Sequence, residues 1–202
     1  SPGKYLDCTA GAGGHSSGIL EASAPDGLLL ALDLDPRAVA LTSARLAPYG
    51  QRAIVRQGSY LRSSEFLREL GWEKVDGILL DLGVSSMQLD EAERGFSFRQ
   101  DGPLDMRFDP ASKPSAADLV NNLNERELAD ILWRYGEERF SRRIARAIVR
   151  ARPIYTTTEL AGIVRSVLGR TQEKQDPATR TFQALRIAVN NELAVIAEAV
   201  PK

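Results

Sequence analysis

Residues 75–107 read VDGILLDLGVSSMQLDEAERGFSFRQDGPLDMR, and the reading of this stretch decides the fold. It opens on an apolar run, residues 75–80, of the kind found in strands buried within parallel sheets. The run ends on Asp81. Beyond it, Gly83, Ser85, Ser86, Gln88, Asp90, Arg94, Gly95, Asp101, Gly102 and Asp105 alternate with Leu82, Val84, Met87, Leu89, Phe96, Phe98 and Met106. A long connection with no helix of its own is uncommon in a compact domain and is usually functional or disordered. So many large apolar side chains speak against a disordered linker. Ligands of open α/β sheets bind beyond the carboxyl ends of the strands, which is where this loop begins. It is expected to form the floor and wall of an active site.

Upstream, strands alternate with helices. Residues 4–7 and 28–32 read as strands that end on Asp7 and Asp33, with a helix from about Ser16 to Ala22 and a turn at 25–27 between them. Asp35 caps the next helix, with Pro36 at its first position, an apolar face of Ala40, Leu41, Ala44 and Ala47, and Pro48 as its stop. A third strand at 53–55 and a helix at 65–70 complete a β-α-β-α-β-α-β order, half of a doubly wound sheet. No strand pattern follows Asp81, so one sheet edge is expected to be bare and the sequence reads as part of a longer chain.

After Asp109-Pro110 the pattern becomes helical. Asn124 and Glu127 form a capping box before Leu128, Ile131, Leu132 and Tyr135. A helix over 137–151 places Phe140, Ile144 and Ile148 on one side. Thr156 and Glu159 cap a helix carrying Leu160, Ile163, Val164, Val167 and Leu168, and Gly169 closes it. Residues 170–175 are the expected linker. Asp176-Pro177 opens a long helix with Phe182, Leu185, Val189, Leu193 and Ile196 as its stripe. The expected organisation is a sheet domain at 1–109, a helical insertion at 110–176 and a returning helix at 177–202.

Hydrophobic residues at 43% and charged residues at 26% indicate a soluble globular chain, and no apolar run approaches the roughly 20 residues of a membrane span. The single Cys8 excludes an internal disulfide and fits a reducing compartment such as the cytoplasm. With His15 as the only histidine, no zinc shell is expected. A net charge of −1 excludes a uniformly basic nucleic-acid binder, but the charge is divided. Residues 1–110 carry 11 Lys and Arg against 16 Asp and Glu, whereas residues 111–202 carry 15 against 11. The two halves present different surfaces.

The first motif is the loop Asp7-x-Thr9-x-Gly11-x-Gly13-Gly14-His15. Glycines at a strand-to-helix turn admit a ligand close to backbone, and the helix start offers free N–H groups, although glycines also serve turns alone. The spacing is not the dinucleotide fingerprint G-x-G-x-x-G. Asp33, twenty positions after Gly13, stands where an acidic side chain accepts from ribose hydroxyls. Loop, Asp33 and Asp81 together point to a nucleoside cofactor. Asp7 beneath the loop would repel a pyrophosphate but suits an ammonium, so S-adenosylmethionine fits better than a nicotinamide dinucleotide. His15, at a helix start that disfavours its protonated form, is expected to be neutral and to bond the cofactor or the loop. Tyr60 could cover an adenine ring or be an ordinary core tyrosine. Arg142, Arg146 and Arg150, with Arg139 and Arg143, make a broad basic face that suits RNA phosphates or is simply solvated.

The segments LDCTAGAGGHSSGIL, ALDLDP, residues 76–107, YGEERFSRRIARAIV and TRTFQALRIAVNNEL closely resemble the RsmH (formerly MraW) family. The likeness spans essentially the whole chain. It implies an S-adenosylmethionine-dependent methyltransferase that modifies N4 of a cytidine in the decoding centre of small-subunit ribosomal RNA. It further implies an α/β, Rossmann-like parallel sheet, incomplete here, with an all-helical insertion. Implied cofactor contacts are Gly13, Gly14, His15, Asp33, Tyr60, Asp81 and Gln88. The implied partner is ribosomal RNA or the small subunit, in the bacterial cytoplasm or an organellar matrix. The sequence leaves the oligomeric state open, a homodimer included.

Amino-methyltransferases commonly end the fourth strand with Asp/Asn-Pro-Pro-aromatic; here Asp81-Leu82-Gly83-Val84 keeps only the carboxylate. Asp81 is the expected catalytic residue, holding the amino group or the cofactor, with the backbone of 82–86 as the alternative. Phe96 and Phe98 could stack a flipped base or be loop core. Rival readings are a non-catalytic nucleotide- or RNA-binding module and a nicotinamide dehydrogenase.

Overall fold

Strands that alternate with helices can pair in parallel, because each crossover helix returns the chain to the same end of the sheet. In the computed structural model, which describes residues 2–169 and 175–199, seven such elements follow one another. They are β1 (Lys4–Asp7), α1 (Gly14–Ala22), β2 (Leu28–Asp33), α2 (Pro36–Leu46), β3 (Ala53–Gln57), α3 (Ser63–Glu69) and β4 (Gly77–Leu79). The strands are all parallel, in the order β3-β2-β1-β4. This is a Rossmann-like α/β arrangement. The two-residue period sends Leu30 and Leu32 to one face with Leu6, Phe66 and Trp72, and Leu29 and Ala31 to the other with Leu20 and Leu46. Both faces of β2 are thereby closed. The chain moves from β1 to β2 and β3 on one side and returns to β4 on the other, so the switch point lies between β1 and β4.

Two expectations for this part need correction. The run 75–80, expected to be a buried strand, is the three-residue edge strand β4, and its Ile78 is 65% exposed. Among the described residues β1 alone pairs with it, so apolar composition here does not report burial on all sides. The buried face of α2 is Ala38, Thr42 and Leu46, while Leu41 of the expected stripe faces solvent. The Thr42 hydroxyl donates to Gly11 O at 2.9 Å, and this contact accounts for a polar residue on the inner face.

The chain divides into two compact units after Ser85, with the residues from Ala197 grouping with the first and Ser86–Ile196 forming the second. The second begins with α4 (Ser86–Asp90) and a 3-10 turn at Ala92–Arg94, so the loop expected to lack helix contains two short helical turns. Then come α5 (Ala116–Asn122), α6 (Glu125–Gly136), α7 (Ser141–Ala151), α8 (Thr157–Leu168), α9 (Thr179–Asn190) and α10 (Glu192–Ala199). Asn124 and Thr156 form the expected capping boxes with Glu127 and Glu159. The helix expected over 137–151 starts only at Ser141, because Glu137 takes the left-handed conformation that closes α6 (φ 51°). Asn191 does the same at the end of α9, splitting the expected long helix and leaving Leu193 exposed. The expected linker at 170–175 lies outside the described residues except for Gln175.

Residues 94–108 pack within this second unit. Leu104 and Met106 are buried, Phe96 stacks on Phe108 at 5.5 Å, and Phe98 meets Phe182 edge-on at 4.7 Å. Asn190 of α9 accepts from Phe108 N and donates to Met106 O, closing a two-way clamp on the loop. Gly95 is required there: its φ is 70°, and a Cβ would sit 2.3 Å from Pro103 O.

Candidate active site

The carboxyl ends of β1, β2 and β4 each carry an aspartate in or just beyond the strand: Asp7, Asp33 and Asp81. Asp7 is fully buried. Its carboxylate accepts from Thr9 N at 3.0 Å and from the Ser16 hydroxyl at 2.6 Å. This differs from the expectation that Asp7 faces an ammonium: the structure makes it the post that shapes the glycine loop. Gly13 caps α1 in the left-handed region (φ 76°), and a Cβ there would lie 3.3 Å from both Thr42 and the Arg45 side chain. Arg45 also lies against Gly14, so these atoms cover the α2 side of the turn.

Asp33 sits at the other end of this loop. Oδ2 accepts from Gly11 N at 2.8 Å and Oδ1 from Asp35 N at 2.9 Å. Each carboxylate oxygen has two acceptor positions, so both keep capacity for a further donor. Burial pushes the Asp33 pKa above the ordinary aspartate value, the Asp35 and Gly11 amides pull it back, and the charges of Asp35 and Asp7 add to the rise. A carboxylate whose ionised form is disfavoured at a strand end marks a candidate functional group.

Asp81 is placed by its backbone, whose N–H donates to the Thr9 hydroxyl at 2.8 Å. Its side chain is 67% exposed and lies 3.4 Å from His15 Nε2. The first unit therefore gathers Gly13, Gly14, His15, Asp33 and Asp81 around one loop. Tyr60 is half-buried at the start of a 3-10 turn and packs against the core cluster of Leu6, Cys8 and Leu30. Gln88 belongs to the second unit, buried on α4. Phe96 and Phe98 are both engaged with other rings, as loop core. Among the described residues, no three His, Cys, Asp or Glu side chains are placed to hold a metal.

Over residues 1–202 the sequence matches the model of the MraW methylase family. The chain belongs to that family. Among similar proteins, the ribosomal RNA small subunit methyltransferase H of Dehalococcoides mccartyi is 51% identical over 98% of this chain and 57% of its own length. The proteins of the same name from Geotalea uraniireducens and Stenotrophomonas maltophilia are each 53% identical, over 98% and 95% of this chain and 65% and 60% of their own lengths. The chain thus spans about 57–65% of the length of these relatives.

Within this MraW-family chain, sequence reasoning missed the roles of three hydroxyls: Thr9 under Asp81, Ser16 on Asp7, and Thr42 on Gly11. Thr9 and Ser16 flank the glycines, and only their position in the loop hinted at a role. Thr42 lies 31 residues from its partner, so no local pattern could reveal it. The expected basic face is exposed, but its members differ. Arg146 pairs with Glu125 at 3.2 Å, Arg143 donates to Val167 O at 3.1 Å, and Arg142 and Arg150 make no ion pair among the described residues. Burial, and to a lesser degree Asp7, pushes the Cys8 thiol up to about 12. No described helix is long and apolar enough to cross a membrane.

Proposed function

We propose that this chain is the cofactor-binding and RNA-facing part of an S-adenosylmethionine-dependent methyltransferase that acts on N4 of a cytidine in the decoding centre of small-subunit ribosomal RNA, in the cytoplasm. The observation that carries this reading is the cluster of strand-end carboxylates around a glycine turn. Asp33 keeps unused acceptor capacity and Asp81 is exposed, which suits a ligand with ribose hydroxyls and positive charge. A pyrophosphate would meet like charge there. The names of the relatives support the same chemistry.

In this reading Gly13, Gly14, His15, Asp33, Tyr60 and Asp81 hold the cofactor, and the basic face of α7, with Arg146 and Arg150, meets RNA phosphates. When bound, S-adenosylmethionine supplies an electrophilic methyl group on a sulfonium. The chain's task is to position the nucleophile, the main source of rate in an in-line displacement. The N4 lone pair of cytosine is delocalised into the ring, and Asp81 accepts one amino N–H, orienting the nitrogen and enriching it in electron density. Thr9 fixes the Asp81 backbone, and His15 limits where the carboxylate swings.

Calorimetry with S-adenosylmethionine and with NAD, followed by mass spectrometry of small-subunit RNA after incubation, tests the reading. Tight binding of the first ligand alone and a methylated cytidine are expected. Preference for NAD would overturn it. Cofactor binding without transfer to RNA would favour a non-catalytic binding module.

A further inference from the structure

In the second unit, α7 and α8 border a shallow, open groove of about 520 Å³ lined by Arg143, Arg146, Ala147, Arg150, Ser166 and Val167. Helix periodicity explains the lining. Positions 143, 146, 147 and 150 share one stripe of α7, opposite the buried Ile144, Ala145 and Ile148. Arg142 lies about a quarter-turn away at 100° per residue and does not line the groove. The three groove arginines form a row about 10 Å long at 1.5 Å per residue.

The row is oriented yet leaves donors unused. Arg143 caps the carbonyl end of α8 through Val167 O and stacks on Phe140, 5.4 Å from its centroid. Arg146 is held by Glu125, an exposed pair of the kind that contributes little stability. Arg150 makes no ion pair among the described residues. Each guanidinium carries five N–H donors, so all three keep donors for a second partner. Three cations facing one groove, with Glu125 the one carboxylate paired to them among the described residues, call for an extended polyanion. Phe140, 47% exposed beside Arg143, offers a ring to an unpaired base, which a duplex does not present.

We propose that this groove binds the backbone of single-stranded RNA, with Arg143, Arg146 and Arg150 each meeting a phosphate and Glu125 competing with RNA for Arg146. This rests on the RNA substrate proposed above. It replaces Arg142 by Arg143 in the contact set.

The test is the affinity of the chain for a labelled single-stranded RNA oligonucleotide, measured by fluorescence anisotropy across a salt series. Each lost phosphate contact should reduce the slope of log affinity against log salt by about 0.7, so Arg143→Gln/Arg146→Gln/Arg150→Gln should reduce it by about 2 and weaken low-salt binding at least about tenfold. Arg150→Gln alone, which removes no hydrogen bond or ion pair among the described residues, should reduce the slope by about 0.7 and guards against misfolding of the triple variant. Arg142→Gln should leave the slope unchanged, and Glu125→Gln should tighten binding. An unchanged slope in both the single Arg150 and the triple variants would overturn the groove. Equal losses from Arg142→Gln and Arg150→Gln would also overturn it, because binding would then be diffuse. A wild-type chain that binds S-adenosylmethionine but no RNA would instead sink the proposed substrate, a result distinct from a failure of the groove alone.

Discussion

Asp33 at the carboxyl end of β2 and Asp105 in the loop of the second unit are both half-buried aspartates, and burial acts to raise the pKa of each. They end in opposite places. Asp33 receives only two backbone amides and has acidic neighbours, so its pKa stays above the ordinary value. Asp105 faces Arg107, which donates from Nε at 2.8 Å and from Nη2 at 2.6 Å, and these bonds and the nearby charge outweigh burial and pull its pKa down. The Arg107 backbone carbonyl is held in turn by Arg94. A carboxylate closed on its own cation is framework. One left with amides and spare acceptor capacity is available to a ligand.

The largest break in this comparison should come from exchanging the consequences of the two residues. Asp33→Ala should weaken S-adenosylmethionine binding by about 1.5–3 kcal/mol, the range for hydrogen bonds to a charged group, as read by calorimetry. Asp105→Ala should cost about as much, roughly 1.5–3 kcal/mol, but in unfolding free energy read by urea titration, with cofactor affinity intact. If Asp105→Ala weakened the cofactor and Asp33→Ala did not, the roles would be reversed.

Asp81 sharpens the picture at the same carboxyl end of the sheet. Asp81→Asn keeps the shape and removes the charge, and single-turnover methyl transfer should fall at least about tenfold. Loss of rate with normal cofactor affinity would assign the carboxylate to the amine, and a parallel loss of affinity would assign it to the cofactor. Full activity would move the work to the backbone of residues 82–86. Thr9→Val, which leaves the Asp81 N–H without its acceptor, should show a smaller effect in the same assay, about 0.5–1.5 kcal/mol.

The pH dependence should carry opposite signs. Because the folded-state pKa of Asp33 is raised, its ionisation weakens the fold: its contribution is full below the ordinary aspartate value and is lost as pH rises through the raised one. Asp105, with its pKa lowered, contributes stability above the ordinary value that is lost as pH falls through the lowered one. Toward neutral pH the titration of Asp33→Asn should therefore shift up relative to the parent and that of Asp105→Asn should shift down, and both pH-dependent differences should fade as acid protonates the two carboxyls. The smallest expected effect is at Cys8. With its thiol pushed up to about 12, it should resist alkylation at pH 8 until the chain is unfolded.

Much of this was legible in one dimension. The order of strands and helices, the aspartates at the strand ends, the glycine turn and the capping boxes at Asn124 and Thr156 all depend on spacing within a few residues, and local spacing is what a sequence displays. The caps survive in the structure because each is closed by its own side chain three residues on. Family membership was legible for the same reason, as runs of matching residues.

What depended on partners far along the chain was not. Thr42 turned α2 inward through a bond to Gly11, Asn190 clamped residues 106–108 from more than 80 positions away, and Arg107 settled the charge of Asp105. Left-handed Glu137 and Asn191 ended helices whose apolar periodicity ran on past them, since periodicity records which residues prefer burial and not where the backbone turns. Arg143 rather than Arg142 lines the groove because the phase of α7 is set by burying Ile144, Ala145 and Ile148, and α8 supplies the opposite wall. The sequence by itself determined the elements and the chemistry at their ends; tertiary packing decided which of those chemical groups are neutralised by neighbours and which are left to meet a ligand.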